Sequence, residues 1–174
     1  ISSGNPNLKQ EYDHNLVVQF RSINKGTGKS FTSDFTADFI QHKISNTIFT
    51  TDSAFTITED VILGAGGQYI RPENFNGVYN LKWQNSLGYR FEPLKLNFNL
   101  NNNMYFNQNY TLLNLEKVNA QTYGMSQRFG VNTAFSKEVI IGLDYNGNIA
   151  FSKNSATKKS NYSVYKHTIG NSIA

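Results

Sequence analysis

The sequence predicts an all-β protein, an antiparallel up-and-down meander of about seven long strands forming part of a transmembrane β-barrel. Three observations predict it. Several stretches alternate large apolar and polar residues with period two, the spacing that puts successive side chains on opposite faces of a strand. Short turns and long connections alternate between them. Aromatic residues gather near the strand ends, where a barrel meets the two membrane interfaces.

The clearest stretch is Leu94 to Asn103. Leu94, Leu96, Phe98 and Leu100 share one face, and Lys95, Asn97, Asn99 and Asn101 share the other. In chain order, residues 1 to 11 read as a loop, with Gly4, Asn5 and Pro6 as turn formers. Tyr12 to Ile23 reads as a strand carrying Leu16, Val18 and Phe20 on one face. Asn24 to Gly28 is a short turn. A second strand from Ser30 to Lys43 sets Phe31, Phe35, Ala37 and Phe39 against Thr32, Asp34, Thr36 and Asp38. The two aspartates suggest a carboxylate pair, but on a water-facing strand they read better as surface groups. Residues 44 to 76 read as irregular, with Ile44 to Thr51 either extending the second strand or forming a short one. The Gly64-Ala65-Gly66-Gly67 break lacks the spacing of a phosphate loop.

Val78 to Phe91 is a third strand, with Tyr79, Leu81, Trp83, Leu87, Tyr89 and Phe91 on one face and only Asn85 interrupting them. Glu92-Pro93 turns into the Leu94 strand, which extends toward Asn107. A long polar loop is expected from Gln108 to Gln121. The fifth strand, Thr122 to Ser136, leads through a tight turn at Ser136-Lys137-Glu138 to the sixth, Val139 to Phe151. A loop from Lys153 to Asn161 precedes a seventh strand starting at Tyr162. Strands of roughly 12 to 14 residues exceed the soluble mode of about 5 to 6 and suffice for the roughly 9 to 11 of a tilted crossing. A soluble β-sandwich used for binding is the alternative that the same alternation allows.

Composition narrows the classes. There is no cysteine, so no disulfide framework and no thiol chemistry. The net charge is +4, but only 16% of residues are charged, and no basic block suggests a nucleic-acid partner. The densest point, Lys158-Lys159, reads as a solvated loop. The negative mean hydropathy is compatible with a barrel, in which only alternate strand residues meet lipid. The chain starts at Ile1 rather than Met, as a processed or excised piece does.

The segment GNPNLKQEYDHNL, from Gly4 to Leu16, resembles the GNP-x-LKPE-x-S-x-N segment of the C-terminal barrels of TonB-dependent outer-membrane receptors. It matches at Gly4, Asn5, Pro6, Leu8, Lys9, Glu11 and Asn15, and departs at Gln10 and Asp13. Three further motifs are similar to the outer-membrane β-barrel family of Bacteroidetes-type bacteria. They are the Asn24-Lys25-Gly26-Thr27-Gly28 turn, the Tyr79-Asn80-Leu81 to Phe91-Glu92-Pro93-Leu94-Lys95-Leu96-Asn97 hairpin, and Ser136-Lys137-Glu138 followed by Leu143-Asp144-Tyr145-Asn146-Gly147. The resemblance implies a bacterial outer-membrane location and energised uptake of a nutrient such as a chelated metal or a glycan. It implies as partners outer-membrane lipid, the remaining strands and plug of the same barrel, TonB and a surface lipoprotein. Barrels of that kind have about 22 strands and a plug. Residues 1–174 therefore read as one partial barrel domain without a plug, an internal arc of roughly a third of the wall. An odd-stranded open sheet with one apolar face leaves two edges unpaired, which lipid does not tolerate. A structural or interaction barrel that transports nothing is the alternative from another class.

No catalytic constellation is legible. His14, His42 and His167 are isolated, there is no G-x-S-x-G, and neither metal nor cofactor is expected. The chain reads as no enzyme. Substrate-contact candidates are the cations of the polar strand face, Arg21, Lys82, Arg90, Lys95 and Arg128, and Tyr69, Arg71 and Phe75 in the long connection. The plainer alternative for each is a lumen charge paired within the barrel or a solvent-facing loop residue.

Overall fold

The computed structural model describes residues 1–58, 61–114, 116–134, 140–156 and 161–173. Its strands are β1 (Tyr12–Asn24), β2 (Lys29–Gln41), β3 (Lys43–Thr50), β4 (Phe55–Thr58), β5 (Val61–Leu63), β6 (Gln68–Phe75), β7 (Val78–Phe91), β8 (Leu96–Leu113), β9 (Glu116–Ala134), β10 (Ile140–Asn154) and β11 (Tyr162–Ile173). Seven long strands form one antiparallel meander in the order β1-β2-β7-β8-β9-β10-β11. The sheet is open: β1 and β11 are its edges and do not pair with each other. The all-β class and the meander of long strands are as the alternation predicts.

Residues paired directly across an antiparallel ladder share a face, so the register sorts the two faces. Leu100 lies opposite Leu87 and Phe129, and Phe106 lies opposite Leu81 and Tyr123. One face is thus apolar and aromatic from strand to strand. Asn101 lies opposite Ser86 and Arg128, and Asn103 opposite Gln84 and Ser126, which makes the other face polar. Among the described residues no second sheet covers the apolar face. Val18 is 52% exposed, Trp83 45% and Leu143 54%, whereas among the described residues the buried apolar side chains are only Ala37, Leu63, Phe75, Val78 and Val118. A sandwich would bury its alternate residues between two sheets; this sheet buries almost none.

Four expectations need correction. First, Leu94 and Lys95 are not on the strand. Glu92–Leu94 is a 3-10 turn, and Lys95 has φ 51, left-handed. Pro93 favours that turn because its ring fixes φ and it has no N–H to give to a ladder. The strand starts at Leu96, so Leu96, Phe98 and Leu100 keep the apolar face while Leu94 leaves it. Second, residues 108–121 are no loop. β8 and β9 continue in register until Leu113 meets Glu116. Polar side chains do not oppose a strand when each backbone group has a ladder partner. The expected alternation of short and long connections therefore fails at this point. Third, the second strand stops at Gln41, before Lys43. The expected turn at 136–138 lies outside the described residues, as does Lys158-Lys159.

The fourth correction concerns residues 44–76. The short strand that Ile44 to Thr51 allows is present as β3, but the rest is not irregular: β3 pairs with β6 from Lys43↔Phe75 to Thr50↔Gln68, and β4 and β5 form a small two-stranded sheet. β2 and β7 pair from Lys29↔Tyr89 to Ile40↔Val78, and β3↔β6 keeps the same register. The whole is one long hairpin interrupted at His42 and Asn76-Gly77. Below the interruption β7 lies beside β8; above it β3 does, through the parallel pair Ile48↔Leu113. The hairpin has turned over about its long axis. The turn needs left-handed backbone, and His42 (φ 54) and Gly77 (φ 85) provide it. Amide side chains replace the lost ladder bonds. Asn76 accepts from the His42 N–H at 2.9 Å, and Asn74 donates to the His42 carbonyl at 2.6 Å.

The N-terminal segment, residues 1–11, straps the outer edge of β6. Ser3 N–H donates to the Ile70 carbonyl at 3.1 Å, and Asn5 donates through its side chain to the Pro72 carbonyl at 2.9 Å. Lys9 N–H donates to Asn74 at 2.7 Å. Glu11 accepts from Lys43 Nζ at 2.9 Å and from the Ile44 N–H at 2.8 Å. The residues of the G-N-P-x-L-K-x-E segment thus act locally, fastening the chain beside the turned-over ribbon before β1 begins.

Candidate functional site

The polar face holds an open trough of about 640 Å³ that crosses six strands, from Thr32 and Asp34 on β2 to Lys166 and Thr168 on β11. A trough on that face means the sheet curls toward its polar side. The floor is made by Asn101 and Asn103 of β8 with their neighbours Gln84, Ser86, Ser126 and Arg128. Period-two alternation put these groups on one face; the ladder register brought them into two adjacent cross-strand rows.

The charged groups of the trough are Asp34, Arg128 and Lys166, with Asp144 in the adjoining depression. Arg128 Nη2 lies 3.1 Å from Asp144 Oδ1, and its Nε lies 3.3 Å from the same oxygen. The arginine is more than half exposed, so the pair is water-screened and contributes little to stability. Asp34 Oδ1 and Asn103 Oδ1 are covered by their neighbours and have no hydrogen-bond partner among the described residues. They stand in one row, with Gln84 between them. What the trough presents to solvent is a rich supply of amides and hydroxyls, with those two acceptors beneath its surface. That chemistry suits a hydrated polar solute and offers no nucleophile-base pair.

The structure sorts the expected contact residues. Arg128 lines the trough. Arg21 is on the polar face of the edge strand, opposite Thr32. Lys82 is on the same face, opposite Thr36 and Tyr105, beyond the trough. Arg90 is at the turn end, held by Glu92 at 2.6 Å. Lys95 is a correction: it belongs to the left-handed turn and not to the strand wall. Tyr69 and Arg71 are separate from all of these. They line a smaller hollow of about 350 Å³ in the ribbon with Phe49, Phe55 and Glu73. Phe75 is buried in the ribbon and is a packing residue.

Lys166, Asp34, Gln84 and Asn148 are trough residues that the sequence does not single out as contacts. Lys166 escapes a sequence reading because the seventh strand has no clear apolar phase from which to assign its faces. Its pairing with Asn148 shows what phase the strand takes. Among the described residues no cluster of His, Asp and Glu could hold a metal ion.

No family model matches the chain, and no curated protein or solved structure matches it either.

Proposed function

We propose that this chain is an arc of the wall of a bacterial outer-membrane β-barrel of the TonB-dependent receptor type. Such a barrel takes up a nutrient, for example a chelated metal or a glycan, through its polar interior. The observation that carries the reading is the division of one sheet into an uncovered apolar face and a polar, concave face. Uncovered apolar surface of this extent calls for lipid or a partner, since water penalises it.

Two features support lipid. On the apolar face of β7, Tyr79 and Tyr89 lie ten residues apart, enclosing Leu81, Trp83, Asn85 and Leu87. At about 3.4 Å per residue this is about 34 Å along the strand. A tilt of about 40° projects it to roughly 26 Å, close to the apolar band of about 25 Å in membrane barrels. Tyr79 pairs edge-on with Phe39 at one end, and Tyr89 stacks on Phe98 at the other. Lysines sit at the same two levels: Lys29 lies over the Tyr89 ring and Lys153 over the Tyr123 ring. Long cations at the ends of an apolar band reach out to the headgroups.

Trp83, the single tryptophan of the chain, gives the test. In full-length protein reconstituted in vesicles, bromine-labelled phospholipid should quench its emission, measured against Trp83→Phe, and aqueous iodide should not. Quenching by iodide alone would overturn the membrane reading. We assign the chain no catalytic role.

A further inference from the structure

Between its two aromatic levels the apolar face is crossed by one polar row. Ser33, Asn85, Asn102, Gln127, Gly147 and His167 lie directly opposite one another on six successive strands, β2, β7, β8, β9, β10 and β11. The rows beside it are apolar, with Leu87, Leu100 and Phe129 on one side and Trp83, Met104 and Met125 on the other. Neighbouring rings tip their polar ends into the row. Trp83 Nε1 donates to Ser33 Oγ at 2.9 Å. The Tyr145 hydroxyl lies 2.7 Å from His167 Nδ1. It also lies 3.0 Å from where a Cβ on Gly147 would stand, so glycine at that position leaves the phenol room to enter the row.

The two ends of the row are thus hydrogen-bonded within the face. Its centre is not: Asn85, Asn102 and Gln127 make no side-chain hydrogen bond among the described residues. They stand on the three middle strands of the meander, between the two aromatic levels. Hydrocarbon at that depth has neither donor nor acceptor to give, and an unpaired amide there is costly.

We propose that this central amide cluster is the contact point between two copies of the protein. The inference rests on the membrane reading above. A primary amide carries both donors and an acceptor, so it is complementary to itself. A two-fold axis along the membrane normal places a residue opposite its own copy, the one arrangement in which an amide row needs no second kind of partner. Two convex walls touch only along a strip, and their oblique rows cross there. Asn102, on the central strand, falls nearest the axis, with Asn85 and Gln127 beside it. A lone amide pair within an apolar contact fixes register, as a buried asparagine does between paired helices.

The test uses full-length protein in native membranes, with no cysteine other than the one introduced. Asn102→Cys should give a disulfide-linked dimer on oxidation, and Leu143→Cys, on the same face but off the row, should not. Adding Asn85→Leu and Gln127→Leu to Asn102→Cys should reduce the cross-linked fraction at least tenfold, with assembly checked by heat-modifiable gel mobility. Should Asn102→Cys fail to assemble, Asn85→Cys takes its place. An environment-sensitive dye on Leu143→Cys, quenched by brominated lipid, reports the membrane reading separately. Quenching at Leu143→Cys without any cross-link at the row overturns this proposal alone. Absence of that quenching overturns both. Cross-linking of Asn102→Cys only to a different protein also overturns it.

Discussion

Gln108 donates its side-chain amide to the backbone carbonyl of Gly77 at 2.9 Å. The glutamine is 8% exposed, also reaches the Tyr110 hydroxyl at 3.1 Å, and accepts from Gln121 at 2.7 Å. It therefore satisfies the backbone at the point where the long hairpin turns over and the ladder is interrupted. Removing Gln108 leaves its half-buried partners unpaired, which costs more than the bond contributed. Gln108→Leu should destabilise the ribbon by about 1 to 3 kcal/mol. Gly77→Val should do at least as much, because φ 85 is hostile to a branched side chain and a Cβ would stand 3.3 Å from Tyr79 and Tyr110. Limited proteolysis reads the effect: cleavage should appear within residues 43–75 while β7 to β10 stay protected. Unchanged resistance in both variants would refute the assigned role.

The strap has a pH signature. The Ile44 N–H beside Glu11 holds its carboxyl below the ordinary range, and the Lys43 ammonium adds to that. A lowered folded pKa stabilises the charged, folded form above the unfolded value near 4.5, and the benefit is lost as pH falls through the folded value. The protection factor of the Ile44 amide should hold from neutral pH into the ordinary carboxylate range and collapse only below it. In Glu11→Gln the pH dependence of that protection should flatten. Hydrogen exchange followed by mass spectrometry decides; a collapse at the same pH in both proteins would exclude Glu11 as its source.

Much of the fold was legible because period-two alternation is a strong local signal. Val78 to Phe91 is bounded in the structure as in the sequence, since both ends are marked, by Gly77 and by Glu92-Pro93. The alternation misled at Leu94 and Lys95, where two residues in phase with the strand belong to the turn. It allowed a short strand at Ile44 to Thr51 but was silent on its partner, residues 68–75, because that pairing depends on the hairpin turning over at His42 and Gly77 rather than on any apolar pattern. The trough was half legible. Arg128 and the Asn ladder of β8 are visible in the sequence, but Asp34 and Lys166 join them only through register across six strands. The polar row on the apolar face appeared in sequence as one oddity, Asn85; only the register shows five other strands repeating it.

The two ends of the apolar face of β8 differ in depth: Leu96 opens the strand beside the turn, and Leu100 lies deeper, opposite Leu87 and Phe129. Leu100→Arg should destabilise the refolded barrel by about 2 to 4 kcal/mol, and Leu96→Arg by about 0 to 1. Asn101→Arg, on the polar face, should cost far less than Leu100→Arg. Guanidinium unfolding in lipid vesicles measures all three. Equal losses at Leu100 and Asn101 would show that the two faces meet the same medium.

The Arg128–Asp144 pair tests the trough as a solute path. Both groups are water-accessible on the polar face, so breaking the pair should shift stability by no more than about 1 kcal/mol. Its effect on the local field should be larger, because the other two trough charges, Asp34 and Lys166, balance each other, so an unpaired Arg128 or Asp144 sets the sign, and a walled cleft concentrates potential. Asp144→Asn leaves Arg128 uncompensated and should raise the ratio of anionic to cationic solute entering barrel-containing liposomes. Arg128→Gln leaves Asp144 uncompensated and should lower it, and Lys29→Gln, on the apolar face, should change neither. Added salt should shrink both effects, as expected of exposed charges. An unchanged ratio in both trough variants, with folding intact, would mean that solute does not pass along this wall and would favour a barrel that anchors without transporting.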